Sequence, residues 1–489
     1  MILSMTPMAT GNESEGRNVP LHIDGEEITT GQLHPVTNPT TDAKIWHISS
    51  ASVQDAKKAI EAAQNAFPGW ASTKPHARRD IFLRAAQIFE TRAEQLRHYM
   101  KEETGAEAKF VEFNIQATIS QIKDLAGRIS GIQGSLPTVD AEGRSAMVLK
   151  EPYGVVFGIA PWNAPYILGC RAFSYALAAG NTVVLKGSEL SPKCFHALVD
   201  IFYQAGLPRG CLNLLFVAPK DAAEVTTSII AHPKVLKINF TGSGRVGSII
   251  AATAGKYLKP VLMELGGKAT AIVLEDADIE KAALGCALGA FLHSGQVCMA
   301  TERIAVHRSI EDNFIEAFKA TIDAVFPPSL PAMTLINPQS ASKVRGLIDN
   351  AVENGAAHIH GPTAQDASAP STSLRPVVLG KVDPKMDLHY EESFGPVVSL
   401  YSFDTLEEAL VLANDTEYGL AGAVFTENLG TGLKVAKAYA TGAVHINSMS
   451  IHDEPSLPHG GVKQSGFGRF NGNQGLEEFL RTKVVTWED

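Results

Sequence analysis

From Val155 onward the chain alternates short apolar runs with helical stretches, and this pattern constrains its fold more than any other feature. Val155–Ile159, Thr182–Leu185, Leu212–Val217 and Val235–Phe240 are dominated by β-branched and other apolar residues. Pro192–Gln204 and Ala222–Ile230, which lie between them, have helical spacing. A strand that is apolar on both faces has to be covered on both faces. The alternation therefore predicts an α/β protein with a parallel, doubly covered sheet. A second alternating block follows, with strands expected near Ile304–Val306, Pro376–Leu379, Val397–Leu400, Ala423–Phe425 and Ala443–Ile446. A chain of 489 residues leaves room for about three domains at the usual ~150 residues each.

The part before Val155 reads differently. Residues 1–16 are polar and Gly/Ser-bearing and are expected to be flexible, and short strands and turns follow around Leu21–Asp24, Pro35 and Pro39. Ser52 with Asp55 three residues later forms a capping-box pattern, after which Val53, Ala56, Ile60, Ala63 and Phe67 recur at helical spacing and Gly69 stands just past the expected end. Further helices are expected over Ala77–Glu103 and Phe110–Ile129. The Ser/Ala/Thr/Pro-rich stretch Gly361–Ser373 reads as an exposed insertion.

Composition removes several classes of function. With 42 Lys and Arg against 52 Asp and Glu, the net charge is -10, which argues against a nucleic-acid partner or an anionic-membrane patch. The five cysteines, Cys170, Cys194, Cys211, Cys286 and Cys298, are too few and too scattered for a disulfide framework, so a reduced, cytoplasmic protein is expected. Met1–Gly16 lacks the basic-then-apolar order of a secretory leader. Pro152–Cys170 and Ala282–Thr301 are long and uncharged, but prolines interrupt the first and His293-Ser294-Gly295-Gln296 the second, so no membrane span is expected. His358 and His360 have no cysteine or carboxylate at ligand spacing, and no metal is expected.

Two stretches carry chemistry. Gly242-Ser243-Gly244-Arg245-Val246-Gly247 follows an expected strand and opens a helix, matching the G-x-G-x-x-G pattern whose glycines let a pyrophosphate approach a helix N-terminus. Glu264 lies at about the distance where such a fold places the acid that holds the ribose, though its setting in Glu264-Leu265-Gly266-Gly267-Lys268 suggests another task. Cys298, in the small-residue turn Ser294-Gly295-Gln296-Val297-Cys298, is a candidate nucleophile because reactivity requires partial exposure. The other four cysteines read as packing residues.

Taken in order, these and further pieces resemble the aldehyde dehydrogenase superfamily over nearly the whole chain. The matching pieces are Pro161-Trp162-Asn163, Gly180–Lys186, Phe240–Ser243, Glu264–Lys268, Gly295-Gln296-x-Cys298, Glu392–Pro396, Tyr418-Gly419-Leu420 and Gly460-Gly461-x-Lys463-x-Ser465-Gly466. The resemblance implies a Rossmann-type cofactor domain over 17–134 and 153–264, an α/β catalytic domain over 265–462, and a small β oligomerisation hairpin from 135–152 and 476–489. It implies Cys298 as nucleophile, the Asn163 amide with the Cys298 N–H as oxyanion donors, and Glu264 as the base that activates water. NAD is the implied cofactor. Its implied contacts are Ile159, Ala160, Pro161, Trp162, Lys186, Ser188, Glu189, Gly242, Ser243, Val246, Leu265, Glu392 and Phe394. A carboxylate at Glu189 favours a free ribose 2′-hydroxyl over a 2′-phosphate. The hairpin strand Val484–Trp487 would leave an open edge unless it met a partner, so a homodimer or homotetramer is expected.

The family's substrate-lining positions fall here on Leu168, Arg171, Leu292, Val297, Asp453 and His459, and His459 replaces the usual aromatic residue before the Gly-Gly pair. Asn163-Ala164-Pro165 through Arg171-Ala172, with the later His452-Asp453-Glu454-Pro455, resembles the salicylaldehyde and vanillin branch, implying a hydroxylated aromatic aldehyde as the small-molecule partner. In that reading Arg171 bonds a ring hydroxyl; the competing reading pairs it with Asp453 or Glu454. A CoA-acylating relative would not need Glu264, and a catalytically silent one would not need Cys298 and Asn163. An aliphatic or semialdehyde substrate is the remaining alternative.

Overall fold

The structure, a computed structural model, describes residues 18–363 and 369–488. The N-terminal stretch 1–16 and the middle of the Gly361–Ser373 loop lie outside the described residues.

Five parallel strands form the heart of the first sheet, in the spatial order Val261–Glu264, Val235–Thr241, Val155–Ile159, Thr182–Lys186, Leu212–Leu215. Short antiparallel strands finish both edges: Gly466–Phe467 beside Val261–Glu264, and Leu21–Ile23 with Glu26–Ile28 beside Leu212–Leu215. The strands are buried on both faces, as their composition requires, and helices Val53–Ala71, Pro165–Ala178 and Pro192–Gln204 pack around them. Pro165–Ala178 is buried along its whole length, which explains why that stretch carries so little charge.

In the second sheet six strands run parallel, in the order Val377–Gly380, Val397–Phe403, Thr301–His307, Ala269–Val273, Ala421–Phe425, Ala443–Ile446, with Ala357–His360 antiparallel at one edge. A separate two-stranded ribbon pairs Arg144–Pro152 antiparallel with Leu480–Glu488, from Leu480 opposite Pro152 to Glu488 opposite Arg144. No helix among the described residues is long and apolar enough to cross a membrane.

Three local expectations need correction. The first helix does not stop before Gly69 but runs over Val53–Ala71, because Trp70 is buried and its Nε1 donates to the Leu177 carbonyl at 3.0 Å, holding the last turn against the core. Its Ser52–Asp55 capping box is present. The expected Ala77–Glu103 helix is two, Pro75–Thr91 and Ala93–Thr104, parted at Arg92, whose guanidinium reaches Asp200 at 2.6 Å. The strands Val261–Glu264 and Ala269–Val273 have no counterpart among the expected ones, since each is short and the charged Glu264 and Lys268, with Gly266-Gly267, interrupt the apolar pattern there.

Candidate active site

The site forms where the carboxyl edge of the first sheet faces the amino edge of the second. Val155–Ile159 is the first of this sheet's parallel strands along the chain, and the chain then builds Thr182–Lys186 and Leu212–Leu215 to one side before returning to Val235–Thr241 on the other. The loops leaving Val155–Ile159 and Val235–Thr241 therefore part at a topological switch point, which opens a crevice. Pro161-Trp162-Asn163 comes from one loop and Gly242-Ser243 from the other. Glu264 ends the next strand, and a few residues later Ala269 starts the second sheet, paired with Thr301. Cys298 lies just ahead of Thr301 in the chain. Base and nucleophile candidates are thus brought together by one short crossing between sheets.

A cavity of about 280 Å³ occupies the crevice, and its lining includes Asn163, Leu168, Glu264 and Cys298. Of the expected cofactor residues, Pro161, Trp162, Gly242, Ser243, Leu265, Glu392 and Phe394 line it too. Ile159, Ala160, Lys186, Ser188, Glu189 and Val246 lie outside the lining, on adjoining segments; Ala160 N donates to the Lys186 carbonyl at 3.3 Å, so their loops leave the same sheet edge. The residues fit a dinucleotide. Helix Gly244–Lys256 opens toward the cavity, the Ser243 side chain makes no cap hydrogen bond, and a Cβ added at Gly244 would meet nothing within 4 Å, leaving the first N–H groups accessible to a phosphate.

The turn that presents Cys298 is strained. His293, Ser294 and Gly295 have φ of 50°, 60° and 72°, three consecutive left-handed residues of which only the last is glycine. A Cβ on Gly295 would stand 2.3 Å from the Gly395 carbonyl oxygen, and one on Gly267 would stand 2.4 Å from that of Cys298. His293 stacks on Phe110 with ring centroids 4.3 Å apart, and burial pushes its pKa down to about 3, so it is neutral. The Asn163 amide donates to the Gln296 carbonyl at 3.0 Å, which ties the oxyanion candidate to the same turn and leaves its second N–H for the cavity.

Electrostatics separates the titratable groups. Burial, and then the neighbouring Glu264 carboxylate, pushes the Cys298 thiol well above its usual range, so the thiol rests protonated until a base takes its proton. Burial also favours neutral Glu264, but the neighbouring His459 ring, the Arg171 guanidinium and the Cys298 thiol outweigh it and hold the carboxyl below the ordinary carboxylate range. Neither Glu264 oxygen has a hydrogen-bond partner among the described residues; His459 Nε2 stands 3.8 Å away, near enough for charge but too far for a bond. Glu392 is pushed up to about 7 by burial and by Glu302, although it accepts from Gly267 N at 2.8 Å.

Arg171 requires a correction. Expected as a free cation for a ring hydroxyl, it is fully buried and its Nη2 meets Asp453 at 2.5 Å, with the guanidinium over the Phe470 ring. It does not line the main cavity. The helix that carries it is buried on every face, so a cation there needs a carboxylate close by. Leu168, Leu292 and Val297 pack in the apolar cluster that also holds Cys298, whereas Asp453 and His459 sit on the loops before Gly460.

Several further residues of the site escape sequence reasoning. Lys268 Nζ donates to Glu302 at 2.6 Å and to the Glu391 carbonyl at 2.7 Å, while Glu302 accepts from Ser393 N at 2.9 Å and from Phe394 N at 3.1 Å. This buried pair clamps the segment bearing Glu392 and Phe394. Lys268 belongs to the Glu264–Lys268 motif, so its position is visible in the sequence; Glu302 has no local signature. Ser340 and Lys343 also line the cavity, and Lys343 Nζ donates to the Glu392 carbonyl at 2.6 Å.

Comparison with known proteins agrees with this geometry. The profile of the Aldehyde dehydrogenase family matches residues 27–485. A vanillin dehydrogenase of Pseudomonas fluorescens is 38% identical over 96% of this chain and 98% of its own length. The crystal structure of a salicylaldehyde dehydrogenase from Pseudomonas putida G7, complexed with salicylaldehyde, superposes with a TM-score of 0.92 at 35% identity, covering 96% of this chain and 98% of that one. A point mutant of a betaine aldehyde dehydrogenase from Staphylococcus aureus, in complex with NAD+, superposes with a TM-score of 0.92 at 30% identity, covering 97% of each chain.

Proposed function

Because the chain belongs to the aldehyde dehydrogenase family, we propose that it oxidises an aromatic aldehyde, with hydroxylated benzaldehydes preferred, to the carboxylic acid with NAD. The observation that carries the reading is the meeting of Cys298, Asn163 and Glu264 in one cavity that continues to the uncapped N-terminus of helix Gly244–Lys256.

The chain's own residues have four tasks. Cys298 gives up its thiol proton, and the thiolate adds to the aldehyde carbon to form a thiohemiacetal. The second N–H of Asn163, with the Cys298 backbone N–H, holds the developing oxyanion. NAD, when bound, would supply the hydride acceptor; Glu392, Phe394 and Trp162 would orient it and Ser243 would hold its pyrophosphate. Loss of hydride leaves a thioester on Cys298, and Glu264 then removes a proton from the water that hydrolyses it. Lys186 and Glu189 hold the adenosine ribose, and Glu189 disfavours a 2′-phosphate.

The aromatic preference rests on the salicylaldehyde and vanillin relatives and on Leu168, which lines the cavity and shares with Leu292, Val297 and Cys298 an apolar cluster that suits ring faces. An oligomer built on the Arg144–Pro152 and Leu480–Glu488 ribbon is part of the proposal, since Val484 and Trp487 are exposed there. The test is rapid-mixing kinetics with salicylaldehyde, benzaldehyde and acetaldehyde. The aromatic aldehydes should lead in kcat/KM. In Glu264→Gln a burst of reduced cofactor should survive while steady turnover falls by roughly 10²-fold or more. Preference for acetaldehyde would overturn the substrate class, and equal loss of both phases would remove Glu264 from thioester hydrolysis.

A further inference from the structure

Each turnover of the proposed reaction releases protons inside a buried site: aldehyde, NAD+ and water become carboxylate, NADH and two protons. Glu264, as the base, must shed what it takes before it can act again. The structure contains a row of polar groups through which this can happen. Glu264 Oε1 and Oε2, His459 Nε2 and His445 Nε2 are all buried without a hydrogen-bond partner among the described residues. Buried polar atoms are rarely left unpaired, and such a series leading away from one carboxylate calls for an explanation.

The row has a direction. His459 Nε2 faces Glu264 Oε1 at 3.8 Å, and the His459 backbone is pinned by reciprocal 2.8 Å hydrogen bonds with Phe470. His445, on the edge strand Ala443–Ile446, lies within electrostatic reach of both His459 and His452. His445 and His452 have ring centroids 5.1 Å apart, and His452 is exposed, with its Nε2 3.4 Å from Glu454. The charged and titratable groups facing this row are Arg171 and the Cys298 thiol at Glu264, Asp453 at His459, and Glu454 at the outer end. Asp453 is already committed to Arg171 and Asn471, so it does not hold His459 in a bond.

We propose that His459 is a positioning residue for Glu264 and the first step of a histidine relay, His459–His445–His452, that carries the proton taken by Glu264 to solvent. In each step one imidazole nitrogen accepts a proton as the other releases one, so no oxidant or other reactant is required. Burial and the charges of its two neighbours lower His445 to about 4, so it is neutral at pH 7 and free to accept. The relay depends on Glu264 being the hydrolytic base.

The experiment measures the burst of reduced cofactor and the subsequent release of acid against pH, at low buffer concentration, in wild type, Glu264→Gln, His459→Gln, His459→Phe and His452→Asn. A preserved burst shows that each variant is folded and binds cofactor. Both His459 variants should slow acid release by about tenfold and flatten its pH dependence. His452→Asn should slow it only at low buffer, with recovery as buffer is raised, a response a merely structural histidine would not show. Unchanged rates and pH profiles in both His459 variants, or a His452→Asn defect that buffer does not relieve, would overturn the relay. Equal loss of burst and acid release in Glu264→Gln would instead overturn the assignment of the base, whatever the histidine variants do.

Discussion

Glu264 and Glu302 are buried carboxylates of the same site, and they could hardly be treated more differently by their surroundings. Glu302 accepts from Lys268 Nζ and from the Ser393 and Phe394 backbone N–H groups, while Glu264 accepts no bond from the described residues and faces His459 across 3.8 Å. Burying a carboxylate is costly unless it is paired, so an unpartnered one persists only because the rest of the fold supports it. The saturated carboxylate holds the loop of Glu392 and Phe394 in place; the unsaturated one leaves its lone pairs open, as the proposed base requires. In this molecule, hydrogen-bond saturation separates scaffold from chemistry where residue type and depth of burial do not.

That contrast can be broken by substitution. Lys268→Met should have the largest effect, because it leaves the Glu302 charge buried with its cation gone. Denaturant unfolding should show a loss of about 3–5 kcal/mol, and a loss below 1 kcal/mol would mean that the clamp carries little. Asn163 stands between the two cases, with one N–H spent on Gln296 and the other free. Asn163→Ala should raise the barrier to oxidation by about 2.7–4 kcal/mol, read as kcat, with a smaller change in stability. Glu264→Gln should have the smallest effect on unfolding, within about 1 kcal/mol, despite its large kinetic effect. A strong destabilisation there would show that the unpartnered carboxylate supports the fold after all.

Much of the first sheet is legible in the amino-acid sequence. Strands buried on both faces must be apolar throughout, and Val155–Ile159 and Thr182–Lys186 show this directly; the N-terminal proline and helical spacing of Pro192–Gln204 mark both of its ends. The break at Arg92 has no glycine or proline to mark it, and the partner of its guanidinium, Asp200, lies more than a hundred positions away. Cys298, Asn163 and Glu264 are recognisable through motifs, whose order along the chain is itself sequence information. The role of Arg171 is not decided that way: a cation in an apolar helix reads equally well as a ligand for substrate or as half of an ion pair, and only the approach of Asp453 chooses.

The sequence by itself determined the α/β alternation, the glycines that admit close backbone contact, and the set of reactive residue types, because each is local or periodic. The tertiary structure decided which of those residues meet, which buried charges are satisfied and which are left open. Partnership between side chains distant in the chain depends on how two sheets face each other, and no local pattern encodes it.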